Sequence, residues 1–289
     1  MDKSSYHSDY SRVSKTMLSH FMDSREDYAR YYVDCTESPP EPTSRMVIGS
    51  AIHAAALEKF DLEKVCAVYP DECFKKPVEK QHLNPKPATA FREANAGKYV
   101  VKPKEMDVIV AAVASICRHP MGRLLERDDV QCEDILTWTN EFGLKCRCML
   151  DVWADMGDKI VVYDLKTTED ILPNAVARVA KSKRYWLQQV HYSEGVRAFA
   201  GIDKPIEWTF WFLEAHPPFR LSPKRYTEDS METAYRIYRQ TMQDLAHCYD
   251  KGVFLDEWTQ RVTHLHLGPW DAGVPETELT GFDEDDSDE

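Results

Sequence analysis

Two apolar stretches that each end in an aspartate constrain this chain more than any other part of it. They read Lys145-Cys-Arg-Cys-Met-Leu-Asp151-Val-Trp153 and Ile160-Val-Val-Tyr-Asp164-Leu-Lys166-Thr-Thr168, with Asp155-Met-Gly-Asp158 as a turn between them. Runs of this kind, bounded by turn residues, predict two strands of a hairpin. Side chains alternate along a strand, so residues two apart share a face. Asp164 and Lys166 therefore point the same way, and Tyr163 and Leu165 point into the other layer. A hairpin partner carrying Asp151 brings a second carboxylate beside them. Two carboxylates crowded together are costly without a counter-charge. A divalent cation such as Mg²⁺, which takes one or two carboxylates plus water and phosphate, supplies it.

The rest of the chain supports a layered fold. Ile135 to Asn140 reads as a further strand, which turns through Glu141-Phe-Gly143 into the Asp151 strand. Tyr185 to Ala200 reads as a helix, Ile206 to Leu213 as a strand, and about Glu228 to Asp250 as a long amphipathic helix. A meander, then a helical crossover to a fourth strand, predicts an α/β (mixed α+β) fold: a central mixed β-sheet flanked by helices. Upstream, Ser14 caps a helix through Met17, Leu18 and Phe21, while residues 1–12 are polar and expected to fray. A helix is expected from about Ser44 to Phe60. It is rich in small residues, with Gly49 one turn before His53. Another is expected over Val108 to Ile116.

Charge is distributed unevenly. The chain of 289 residues has a net charge of −13, but nine acidic side chains and no basic ones lie in residues 271–289; setting those nine aside leaves −4. That stretch is expected to be a disordered acidic tail, either solubilising or mimicking nucleic acid, and residues 1–270 the folded domain. Residues 70–104 hold eight Lys or Arg, among them Lys75, Lys76, Lys80, Lys86 and Arg92, with prolines at 70, 77, 85 and 87. They are expected to form a partly irregular basic arm along the path of a polyanion. No run of eighteen apolar residues exists, and the first residues show no apolar signal region, so a cytoplasmic location without membrane contact is expected. The eight cysteines include no Cys-x-x-Cys pair and are expected to be free thiols, without an iron–sulfur cluster.

These residues suit phosphodiester hydrolysis. A bound divalent ion takes a nonbridging oxygen, lowers the pKa of a bound water and offsets charge on the leaving oxygen. Asp151, Asp164 and the backbone carbonyl of Leu165 are candidate ligands. Lys166 can orient the water, act as its base if its pKa is depressed, or offset charge on the phosphate. Arg147 lies four residues before Asp151 on the same strand face, placing a guanidinium within reach of phosphate. Gln188 and Tyr192 share a helix face and suit phosphate contact or support of the carboxylates.

Taken in order, several segments resemble the PD-(D/E)xK nuclease superfamily, and within it the RecE-type (exonuclease VIII-like) exonucleases of phages and prophages. They are Val13-Ser-Lys-Thr-Met-Leu18, Gly49-Ser-Ala-Ile-His53-Ala-Ala-Ala-Leu-Glu58, Cys146-Arg-Cys-Met-Leu-Asp151, Tyr163-Asp164-Leu-Lys166-Thr-Thr168 and Leu187-Gln188-Gln-Val-His-Tyr192. Phe91 to Lys98 and Leu265 to Trp270 add two echoes. The resemblance implies a restriction-endonuclease-like core and a Mg²⁺-dependent exonuclease (Mn²⁺ also suiting the ligands) that degrades duplex DNA from its 5′ ends. It implies His53, Asp151, Asp164 and Lys166 as the active set, with His53 among the metal ligands and Gln188, Tyr192 and Glu58 in support. It also implies a single-strand annealing partner, and a ring or other homo-oligomer. The second acidic position is Asp164 rather than a glutamate, and Met149 stands where relatives often carry arginine. The rival readings are an endonuclease of the same fold and a DNA-binding or assembly protein with a vestigial site.

Overall fold

Nine residues of β5 (Ile160–Thr168), buried on both faces along most of their length, form the middle of a five-stranded sheet. The computed structural model describes residues 3–6, 8–38, 44–57, 61–200 and 204–259. In chain order, the elements before β5 are α1 (Lys3–Tyr6), α2 (Lys15–Asp23), α3 (Arg25–Tyr32), α4 (Ser44–Leu57) and α5 (Leu62–Val65). β1 (Cys66–Val68), α6 (Pro85–Ala94), β2 (Tyr99–Val101), α7 (Pro103–Arg118) and α8 (Pro120–Leu125) come next, then β3 (Gln131–Thr139) and β4 (Lys145–Asp155). After β5 come α9 (Pro173–Ser182), α10 (Tyr185–Ala200), β6 (Ile206–Glu214), β7 (Leu221–Lys224) and α11 (Glu228–Lys251).

The sheet order is β3-β4-β5-β6-β7. β3, β4 and β5 form the expected antiparallel meander, and α9 and α10 carry the chain across to β6, which pairs parallel with β5. The turn between β4 and β5 is made by Gly157 at φ +92°, whose N–H donates to Asp155 Oδ1 at 2.9 Å; glycine adopts this backbone without a Cβ penalty. On one face, α4 and α7 bury Ile52, Ala55, Ile109 and Ile116 against Val152, Leu165 and Leu213. On the other, Val176 of α9 and Val196 of α10 cover Leu150, Val162, Phe210 and Phe212. A second apolar cluster joins α2, α3, α10 and α11 through Met17, Leu18, Tyr28, Val190 and Met242.

Two expectations need correction, the frayed N-terminus and the four-stranded sheet. The basic arm combines irregular stretches with ordered structure: β1 and β2 pair in parallel, and Tyr69, Cys73, Phe74 and Ala88 bury themselves in a core of their own. Ala88 and Phe91 lie three apart on α6, whose first residue is proline, so a short amphipathic helix fits there. Residues 3–6 are not frayed: Tyr6 is buried and lays its ring 4.8 Å from the Arg147 guanidinium. The sheet has a fifth strand, with Pro223 on an edge where no ladder donor is needed. The helix expected over Val108 to Ile116 is α7, and α8 follows it at once, its first residue Pro120 being tolerated in a first turn. No two of the eight cysteines, all of them described residues, are joined in a disulfide. Residues 260–289, the expected acidic tail among them, lie outside the described residues, as does Phe60.

Candidate active site

The site begins where two strands part. The β4–β5 ladder runs from Asp155↔Ile160 to Val152↔Tyr163 and stops there, one step short of Asp151 and Asp164. β5 continues along β6 as far as Thr168↔Glu214. β4 continues along β3, and its freed edge is taken by Val13, which donates to Lys145 O at 2.8 Å and accepts from the Arg147 N–H at 2.9 Å. The result is a fork with one carboxylate on each prong. Opposite Asp151, Glu133 of β3 sits at φ +51° and the β3–β4 register skips one pair. Such strained positions break the alternation of a strand and re-aim a side chain. Accordingly Leu150 packs with the α10 layer, whereas Val152 packs with the α4 layer.

Asp151 closes the end of the ladder in place of a backbone acceptor. Its Oδ2 accepts from the Leu165 N–H at 2.8 Å and meets His53 Nε2 at 2.7 Å. The N–H and C=O of one strand residue point to the same side, so the Leu165 carbonyl also faces the fork. Asp164, only 1% exposed, receives Gln188 Nε2 on Oδ2. Its Oδ1 faces the Lys166 ammonium in an ion pair. Lys166 Nζ in turn lies 5.0 Å from the Tyr185 ring centroid. Thus α4 presents His53 from one side, and α10 presents Gln188 and Tyr185 from the other. Gly49 lets α4 come this close: a Cβ there would lie 2.6 Å from Thr167 Oγ1 on β5.

The two carboxylates are held in opposite electrostatic states. Burial and the neighbouring Asp151 push Asp164 up to about 6, and Lys166 only partly offsets them. Burial also works against Asp151, but His53, Lys166 and the Leu165 N–H together hold it below its ordinary range. For His53, burial opposes the charge and Asp151 outweighs it, so its pKa is raised. The same holds for Lys166, where burial is outweighed by Asp164 and Asp151. Lys166 is therefore an ammonium in this arrangement, which favours orienting water or offsetting charge over the base role among the three left open by the sequence.

The expected residues converge only in part. His53, Asp151, Asp164, Lys166 and Gln188 come together, as the geometry above shows. Tyr192 sits beside them half-buried, with its hydroxyl bonded to that of Tyr6 and its ring edge-on to Trp208. Arg147 does not reach the fork: its buried guanidinium lies over Tyr6 and donates to the Tyr6 carbonyl, so the expected phosphate contact is replaced by a packing role. Glu58 lies outside the described residues. Lys75, Lys76, Lys80, Lys86 and Arg92 are exposed on the folded arm. Three residues near the site belong to no motif in the sequence, Tyr6, Arg184 and Tyr185, and Lys15 lies in the Val13-to-Leu18 segment without having been singled out. The signal for Arg184 and Tyr185 is the basic-aromatic run Lys181-Ser-Lys-Arg-Tyr185 that leads into α10.

Two carboxylate groups and a backbone carbonyl around a fork suit a hard divalent cation, which needs few protein oxygens and keeps several waters. Asp164 Oδ1, which among the described residues meets only the Lys166 ammonium, has lone pairs left for it. A three-ligand cage is not assembled: among the described residues no group of three or more His, Cys, Asp or Glu side chains is placed to hold a metal. His53 Nε2 is engaged with Asp151 and joins such a donor set only once its proton has left.

Residues 14–254 match a family model described as a PDDEXK-like domain of unknown function (DUF3799). Among solved structures, the chain is similar to one described as a "putative exonuclease" from Eubacterium rectale. The TM-score is 0.59 at 14% identity, over 94% of this chain and 97% of that one. No curated protein matches.

Proposed function

The chain belongs to this PDDEXK-like family and has its restriction-endonuclease-like core, and from that premise we propose that it is a divalent-metal-dependent deoxyribonuclease acting on duplex DNA ends. The observation that carries the reading is the fork itself: two buried carboxylates, one held ionised and one raised to about 6, with an ammonium beside them. Catalytic sites are where titratable neighbours are pushed apart in this way. In this reading Asp151, Asp164 and the Leu165 carbonyl hold Mg²⁺ (or Mn²⁺), which supplies a more acidic water and offsets charge on the phosphate. Lys166, kept protonated, binds a nonbridging oxygen and stabilises charge as it builds. Gln188 fixes the Asp164 carboxylate, and His53 fixes Asp151. The substrate is DNA degraded from its 5′ ends, and the setting is phage-type recombination or repair in the cytoplasm, with an annealing protein and a homo-oligomeric assembly as partners.

Digestion of linear and closed circular duplex, with Mg²⁺ and with EDTA, tests this. Linear DNA should be degraded only with the metal, and closed circles should survive. Cutting of circles would instead establish an endonuclease of the same fold, and no metal-dependent cutting of either would leave a binding module. Asp164→Asn and Lys166→Ala should each lower the rate on the order of 10³-fold while end binding persists. Duplexes labelled separately at each 5′ and 3′ end report polarity.

A further inference from the structure

The first turn of α2 and the turn between α9 and α10 meet beside Lys166 and bring together cations that the catalytic reading does not use. Lys15 is half-buried, and its Nζ donates to the Lys183 carbonyl at 2.7 Å. Arg184 follows, donating from Nη1 to Ser19 O at 3.0 Å and pairing through Nη2 with Asp23 at 2.5 Å. Tyr185 is next, with the Lys166 ammonium 5.0 Å from its ring centroid. Three independent interactions therefore place Lys15, Arg184 and Lys166 around one corner, with exposed Lys181 and Lys183 at its lip. Arg184 holds φ +49°, a strained backbone for a non-glycine residue; strain of this kind persists where the surroundings fix it and clusters at ligand-binding sites.

Charge balance gives the corner its meaning. Asp164 already answers Lys166, and Asp23 answers Arg184, while Lys15 bonds only a neutral carbonyl among the interactions that fix it. Burial, then repulsion from Lys166 and Arg184, pushes Lys15 down to about 8. An ammonium group held near two other cations gains when an anion arrives between them. The anion that the neighbouring fork would handle is a phosphodiester.

We infer that Lys15, Arg184 and Lys183 form a phosphate-binding ledge that seats the nucleic-acid backbone next to the scissile phosphate, with Lys15 as its innermost contact. The ledge rests on the nuclease reading for the identity of its anion, but it can be tested without cleavage. The experiment is fluorescence anisotropy of a labelled single-stranded oligonucleotide and of a blunt duplex, both in EDTA, across a salt series. Lys15→Gln should weaken binding about tenfold and make the log–log salt slope shallower by about one, whereas Lys15→Arg should bind like the unaltered protein. Lys183→Gln, at an exposed side chain, should show the same direction with a smaller loss. It keeps the test decisive if Lys15→Gln fails to fold. Lys159→Gln is the control, roughly 23 Å along β5 from Lys166, and should change neither quantity. Unchanged affinity and slope in both ledge variants would overturn the proposal, as would an equal loss in Lys159→Gln. If the ledge variants bind weakly and yet no DNA is cut under any condition, the catalytic reading fails and the ledge stands.

Discussion

Asp151 and Asp164 are the same side chain in two settings, and the difference is set by what stands next to each. Asp151 has His53, whose pKa it raises, and a backbone N–H, whereas Asp164 has deeper burial and Asp151 itself as a neighbour. A carboxyl raised to about 6 holds its proton below that pH, so a cation must displace the proton to bind. Calorimetric titration with Mg²⁺ or Mn²⁺ should therefore show affinity roughly level above pH 6. Below it, affinity should fall about tenfold per pH unit, with proton release visible as a buffer-dependent heat. Affinity that is flat between pH 5 and 7 would mean that Asp164 is not a ligand. A second residue titrates against the fold rather than the chemistry. His191 is fully buried; its Nε2 lies 3.0 Å from the Arg147 carbonyl and its Nδ1 3.1 Å from the Tyr238 hydroxyl, so it ties β4, α10 and α11 together. Burial pushes it down to about 4. The unfolded chain, with histidine near 6.5, then binds a proton that the folded one does not. Stability rises with pH between about 4 and 6.5 and is level above, a contribution on the order of 3 kcal/mol. Urea midpoints at pH 4.5 and 7.5 should differ in that direction, and His191→Gln should flatten the difference. Equal dependence in the variant would assign it to other groups.

At the scale of elements, the close approach of α4 to β5 is what delivers His53. Gly49→Ala places a methyl 2.6 Å from Thr167 Oγ1, so helix or side chain must give. Overpacking of this kind costs about 1–3 kcal/mol. Because the shift lies one helical turn from His53, the nuclease rate should fall as well. Thr167→Ala removes the clashing oxygen, and the double variant should recover most of both losses in a double-mutant cycle; additive losses would show that the clash is not the cause. The legibility of the elements follows from how local their signals are. β3, β4 and β5 could be read because strand period and turn residues are encoded within a few positions, and Asp164 and Lys166 inherit their common face from that period. The fork could not be read. It depends on the end of a ladder, on Val13 arriving from far upstream, and on a positive φ at Glu133, none of which leaves a local pattern. Arg147 shows where the period alone misleads: its face was legible, but the N-terminal turn that covers that face with Tyr6 was not. β7 is four residues long and contains a proline, so no propensity argument finds it.

For the whole molecule, the question is how a chain of net charge −13 would attract the polyanion proposed as its substrate. The answer lies in separation. Nine of its acids are confined to residues 271–289, and the basic groups near the fork come from two places distant in sequence: the turn before α10 and the arm between β1 and β2. The arm has its own core around Tyr69, Cys73, Phe74 and Ala88, so its lysines are carried on a folded platform rather than a floppy strand. A platform pre-orders the charges and spares the entropy that a flexible segment would lose on binding. If Lys75, Lys76, Lys80, Lys86 and Arg92 line the DNA path, each neutralised phosphate contributes to counterion release. Substituting them with glutamine singly and then together should make the salt slope of binding shallower by about 0.9 for each phosphate no longer neutralised, with weaker binding at every salt concentration. The combined variant should also unfold cooperatively at the same midpoint, because these side chains are exposed and contribute nothing to the arm's core. A slope that stays constant through the series would take the arm off the DNA path and leave the ledge beside Lys166 as the surface that accounts for binding.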